Sequence, residues 1–168
     1  MRILAALATI AAATVAAAVA QSADVDRAYD LVGRWTCASA AGSSATLTFT
    51  RQGDGSIRMR NIFIPPHAAQ GEFDETYRLI SPARYWLWTA TLQGNPDFKE
   101  AATAGPWTAT SWFFDGTMTH RPHPHDTDTH RIRVVYAWLD NASFQREFEI
   151  YEGDVWKTTS SAVCRRKS

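Results

Sequence analysis

From Arg34 onward the chain alternates apolar and polar residues with a period of two, the spacing of strands that bury one face. Candidate strands fall at Arg34–Ala38, Ala45–Arg51, Ser56–Phe63, Glu72–Ile80, Arg84–Leu92, Trp107–Phe114, His130–Leu139, Ser143–Tyr151 and Val155–Arg165. Between several of them stand the turn signals Gly53-Asp54-Gly55, Asp115-Gly116, Asp140-Asn141 and Glu152-Gly153. Ile64–Gly71, with Pro65-Pro66, and Gln93–Pro106, with Asn95-Pro96 and Gly105-Pro106, read as longer connections. Asp24–Leu31 reads as one or two helical turns. No helical stretch is long enough to cross over between parallel strands, and no internal repeat appears. The pattern predicts an all-β, antiparallel domain of about 8–10 strands, a barrel or a sandwich.

Alternation also divides each strand into faces. The apolar faces are Leu47/Phe49, Ile57/Met59/Asn61/Phe63, Phe73/Glu75/Tyr77/Leu79, Ile132/Val134/Tyr136/Trp138 and Phe144/Arg146/Phe148/Ile150. Arg58, Arg60, Asp74, Arg78, Arg131, Arg133, Glu147 and Glu149 fall on the opposite, solvent faces. In the last strand Trp156, Thr158, Ser160, Ala162 and Cys164 share a face. Tyr85–Leu92 and Trp107–Phe114 are apolar on both sides, which predicts cover from a loop or a partner. Asn61, Glu75 and Arg146 interrupt the inner faces, where an unpaired charge is costly. Two readings follow. Glu75 and Arg146 are a structural ion pair, or a bulge turns one of them outward. Alternatively, the three polar groups converge in an aromatic-lined cavity that binds a small molecule, with Trp86, Trp88, Tyr77, Tyr136 and Trp138 as its lining.

The start of the chain has a different character. Met1-Arg2 is a short basic start, Ile3–Ala17 is apolar, and Ala18-Val19-Ala20 is a small-x-small site before Gln21. This is the pattern of a secretory signal peptide over residues 1–20, followed by one domain over residues 21–168 and no membrane span after cleavage. Export predicts a periplasmic or secreted protein, where Cys37 and Cys164 read most simply as one disulfide. A bridge between first and last strands needs them as neighbours, which favours a closed up-and-down barrel over a sandwich. Acidic and basic residues balance at 17 each, and removing the leader takes away only Arg2. That balance argues against nucleic acid or an anionic membrane surface as partner.

Leu31-Val32-Gly33-Arg34-Trp35 places Gly-x-Trp on the first strand, directly after a short helical turn. This resembles the opening of lipocalin-like (calycin) barrels in secreted bacterial proteins, where the Trp closes the barrel floor. The resemblance implies a late basic residue covering that Trp, a part open to Arg165 or Arg166, and noncovalent binding of a small, partly apolar molecule. Thr127-Asp128 stands before a strand as a Thr-Asp pair does in lipocalins, but Thr129 follows where they carry an aromatic.

Four of the five histidines, His120, His123, His125 and His130, fall in one Pro-punctuated segment. Their imidazoles could ligate Zn²⁺ or Cu²⁺, with His120 and His130 facing each other across a loop, although the spacing fits no established ligand motif and equally suits a solvated loop. No Gly-x-Ser-x-Gly, His-Glu-x-x-His, phosphate-binding glycine loop or Cys-x-x-Cys is present, so the reading is non-catalytic and without a cofactor beyond such a metal. The expected function is an exported small-molecule-binding barrel. The alternatives are a periplasmic metal-binding protein, or a filled barrel whose two-sided apolar strands meet an envelope protein or a second copy.

Overall fold

The computed structural model describes residues 27–80, 85–93, 95–104, 110–123 and 126–168, with side chains described except at 95–104, 120–123 and 126–128. Its strands are β1 (Gly33–Ala38), β2 (Ser44–Arg51), β3 (Ile57–Ile64), β4 (Gly71–Ile80) and β5 (Tyr85–Leu92). They continue as β6 (Asn95–Ala104), β7 (Ser111–His123), β8 (Asp126–Asp140), β9 (Ser143–Glu152) and β10 (Val155–Arg166). Each pairs antiparallel with its neighbour in sequence, and β1 pairs with β10, so the sheet closes as an up-and-down barrel. Closure leaves no exposed edge among the described strands. The Cys37–Cys164 disulfide staples the closing seam, where the two residues are direct register partners with Cα atoms 3.9 Å apart.

The leader expected over residues 1–20 lies outside the described residues. The described stretch 27–32 holds a 3-10 turn at Ala28–Leu31, in which the Val32 N–H donates to the Tyr29 carbonyl at 3.0 Å.

Turn chemistry sets several hairpins. In the β2–β3 turn, Ser56 donates from its backbone and its hydroxyl to Asp54 Oδ1 at 2.9 and 2.6 Å. Between β9 and β10, Gly153 and Asp154 both take positive φ, 57° and 64°, as the tightest hairpin turn requires.

Three expectations are corrected. Gln93–Pro106 is not a connection but mostly strand β6. Its Ala-, Lys- and Glu-containing sequence has little strand preference, so barrel closure overrides local propensity. Pro96 is accommodated because the register jumps from Thr91↔Lys99 to Leu92↔Asn95, leaving Pro96 outside the ladder. Asp115-Gly116 is no turn. It lies inside β7, with Asp115 outward and ion-paired to Arg131 at 2.6 Å. Finally, β10 carries a bulge between Thr158 and Ser160, so Trp156 and Thr158 face outward while Ser160, Ala162 and Cys164 face inward. Outside, Trp156 lies under the guanidinium groups of Arg133 and Arg131, 4.5 and 5.2 Å from its ring centre.

Side-chain size along the inner faces is graded. Reading toward the end of the barrel that holds the β2–β3 turn, β2 presents Ala45, Leu47 and Phe49, and β7 presents Gly116, Phe114 and Trp112. In the same direction β5 presents Ala90, Trp88 and Trp86. Trp35, Phe49, Tyr77, Trp88, Trp112, Phe114, Tyr136 and Phe144 are all at most 2 % exposed and fill that end. The barrel is therefore solid in one half and hollow in the other.

The solid half explains the Gly-x-Trp pair. Trp35 packs against Phe144 and Trp138, with ring centres 4.7 and 5.9 Å away, and the Arg166 guanidinium lies 4.4 Å from its ring centre. Gly33 has φ +133°, and a Cβ there would stand 2.9 Å from Arg166 Nη1. Glycine at 33 thus leaves room for the cation that covers the Trp two residues on. Of the two basic candidates, Arg166 takes that position.

Candidate functional site

The hollow half is a cavity of about 670 Å³. Phe63 of β3, Phe73 and Glu75 of β4, Met118 of β7, and Arg146, Phe148 and Ile150 of β9 form much of its wall. Among the described residues the wall continues, small and hydroxyl-rich, through Ser39 and Ser43 of the β1–β2 turn, Ser44 of β2, and Thr159 to Ala162 beside the β10 bulge. Gly71 shapes the rim, because a Cβ there would sit 2.2 Å from Phe63 ring atoms, and so only glycine lets that ring lie across the start of β4. Phe63 and Phe73 stack with ring centres 5.4 Å apart. The volume and the mix of aromatic and polar lining suit a drug-sized molecule.

At the boundary between the two halves sits a buried polar network. Arg146 Nη2 donates to both oxygens of Glu75, at 2.8 and 2.9 Å, and Arg146 Nε donates to the Tyr136 hydroxyl at 3.0 Å. Glu75 Oε2 also accepts from the Tyr77 hydroxyl and from Trp88 Nε1, each at 2.8 Å. The two tyrosine hydroxyls bond to each other. Burial works against the charge on Arg146, but Glu75 and the two phenols outweigh it and hold its pKa well above the ordinary value. Burial, reinforced by Glu75, pushes the Tyr77 phenol well above its usual range. Burial also pushes the Tyr136 phenol up to about 12, with Arg146 opposing the rise.

Two parts of this floor have no protein partner among the described residues. Arg146 Nη1 makes no hydrogen bond, and Arg146 lines the cavity. Asn61, 7 % exposed and also in the lining, has a buried Oδ1 without a donor. A buried amide oxygen left unpaired costs about 1–3 kcal/mol.

The predicted residues divide accordingly. Asn61, Glu75 and Arg146 converge on the cavity as the polar set, and Glu75 and Arg146 are at the same time an ion pair, so the two readings of them combine. The aromatic lining is corrected. Tyr77, Trp88 and Tyr136 lie beneath the floor as partners of Glu75 and Arg146, and Trp86 and Trp138 pack in the solid half. All five face inward, as expected, but at heights where the barrel is filled. Phe63, Phe73 and Phe148 provide the aromatic wall instead. They stood on the predicted inner faces, and the small-to-large gradient from Ala45 to Phe49 is the signal that marks their end of the barrel as hollow.

The side chains of His120 and His123, and all of His125, lie outside the described residues. The backbone corrects their arrangement: His120 pairs with Asp128 and His130 with Met118, so the segment is largely hairpin strand and His120 does not oppose His130. Among the described residues no three His, Cys, Asp or Glu side chains gather as a metal site. No family model matches the chain and no curated protein matches it, so what the site does rests on its own chemistry.

Proposed function

We propose that this chain is an exported, non-catalytic binding barrel that takes up a small, partly apolar molecule in the cavity, as lipocalin-like proteins do. One observation carries the reading: the cavity is lined by phenylalanines and ends on a fixed polar floor where Asn61 Oδ1 and Arg146 Nη1 lack partners among the described residues. Apolar walls with a few convergent polar groups are how small-molecule sites are built. Glu75 supports a positioning role rather than catalysis, since its oxygens are committed to Tyr77, Trp88 and Arg146. The Trp35–Arg166 stack beside Gly33 supports the calycin-like reading. For location, the Cys37–Cys164 bridge is compatible with an oxidising compartment outside the cytoplasm, and no described helix is long and apolar enough to cross a membrane.

Native mass spectrometry of untagged protein taken from its own cell envelope or medium tests the proposal. An added organic mass released by denaturation is the expected result. A bare polypeptide mass from every preparation, together with no uptake of apolar probes, overturns it.

A further inference from the structure

The chemistry of the cavity floor selects the charge of the head group that binds there. Among the described residues, Arg146 and Glu75 are the charged side chains of the lining, and they neutralise each other at 2.8 Å. The other polar groups are the Asn61 amide at the floor and serine and threonine hydroxyls in the remaining wall. A carboxylate or phosphate placed on Arg146 would share one guanidinium with Glu75 and leave a net negative charge beside a side chain that is 2 % exposed. Like-charge repulsion and desolvation both oppose that arrangement. A cationic head meets Arg146 itself, with the Glu75 oxygens already engaged.

An uncharged head has no such penalty, and the floor offers it both kinds of hydrogen bond. Arg146 Nη1 donates. Asn61 lies diagonally across from Glu75 on the inner face, because Met59 is the register partner of Glu75 and Asn61 stands two residues further along β3. Its amide turns about a broad torsion, so it presents either its oxygen or its nitrogen to the cavity. We infer that the bound head group is neutral and carries a donor beside an acceptor, as a carboxamide, lactam or imide edge does, with an apolar body against Phe63, Phe73 and Phe148. Its carbonyl accepts from Arg146 Nη1, and its N–H donates to Asn61 Oδ1, which has no partner among the described residues. This rests on the reading of the cavity as a binding site.

N-phenylnaphthylamine, an uncharged fluorescent probe, reports occupancy, and naphthaleneacetamide and naphthaleneacetate compete with it at neutral pH. The amide is expected to displace the probe at a concentration at least about tenfold below that of the acid, the scale on which unpaired polar groups discriminate. Asn61→Leu is expected to abolish that preference while raising the thermal midpoint, since it removes an unsatisfied buried group; an amide placed only for stability would lower the midpoint when lost. Equal or stronger displacement by naphthaleneacetate overturns the head-group inference and leaves the binding site standing, as does a bound probe that neither competitor displaces. Absence of saturable probe binding removes the binding site and the inference together.

Discussion

Arg146 and Glu75, 71 residues apart in sequence, meet across the barrel with one guanidinium nitrogen within 2.9 Å of both carboxylate oxygens. The pair separates the packed half of the barrel from the hollow half, and its side chains are 16 % and 3 % exposed. Removing one member strands the other. Arg146→Met is therefore expected to cost about 3–5 kcal/mol, and the double variant Glu75→Gln/Arg146→Met to recover most of it. Urea unfolding of the two variants checks this, and equal losses in both would show that the charges are not coupled.

The tyrosines beneath that pair give the barrel an alkaline limit. Below about pH 10 both folded and unfolded chains keep these phenols protonated. Tyr136 ionises in the folded protein only at about 12, and Tyr77 is likewise raised. Between those limits the unfolded chain releases protons that the folded one holds, so stability falls as pH rises through this window. Phenolate absorbance is expected to show a late step that coincides with unfolding. In Tyr77→Phe/Tyr136→Phe that step disappears, and its persistence there contradicts the assignment.

Gly33 and Arg166 are expected to act as one unit over Trp35. Gly33→Ala meets both the positive φ and the Arg166 guanidinium, and should cost about 1–3 kcal/mol. Arg166→Ala should cost about 0.5–2 kcal/mol through the lost cation–π contact and exposure of the indole. In Arg166→Ala the penalty of Gly33→Ala should shrink, a coupling that a double-mutant cycle reads directly.

The β10 bulge makes an opposite pair of predictions for two tryptophans. Trp156, stacked outside under Arg133 and Arg131, should tolerate alanine at a cost of about 1 kcal/mol. Trp35, fully buried, should cost about 3–5 kcal/mol. Similar losses at both positions would place Trp156 in the core and remove the bulge.

Reduction of Cys37–Cys164 opens a loop of 127 residues. The chain-entropy model expects a loss of up to about 4–5 kcal/mol, seen as a lower thermal midpoint in reductant. An unchanged midpoint would show that the ladder between β1 and β10 holds the seam alone.

How much of this was legible in the sequence follows from what alternation encodes. Period two reports inward or outward, and it placed Asn61, Glu75, Tyr77, Tyr136 and Arg146 on the inner faces because each sits in step with apolar neighbours. It does not report height along the barrel, which depends on how neighbouring strands are staggered. Trp86 and Trp138 therefore looked equivalent to Phe63 and Phe148, although the first two pack a solid end and the second two wall a cavity. The bulge between Thr158 and Ser160 is invisible for the same kind of reason. Nothing local in that run of threonines and serines says where one extra residue leaves the ladder, so alternation alone groups Trp156 with Ser160, Ala162 and Cys164, from which the bulge separates it. Strand β6 escaped because Pro96 and its alanines carry no strand signal, and its pairing is imposed by β5 and β7.

Titration of N-phenylnaphthylamine into the native protein and into Ala162→Phe tests the binding cavity most directly. Ala162 faces inward and lines the hollow half as the register partner of Arg146, so a phenyl group there occupies cavity space directly beside the floor. Saturable, one-to-one uptake by the native chain that is lost in Ala162→Phe, with near-ultraviolet circular dichroism preserved, is the predicted result. Equal uptake by both proteins, or none by the native chain, contradicts it.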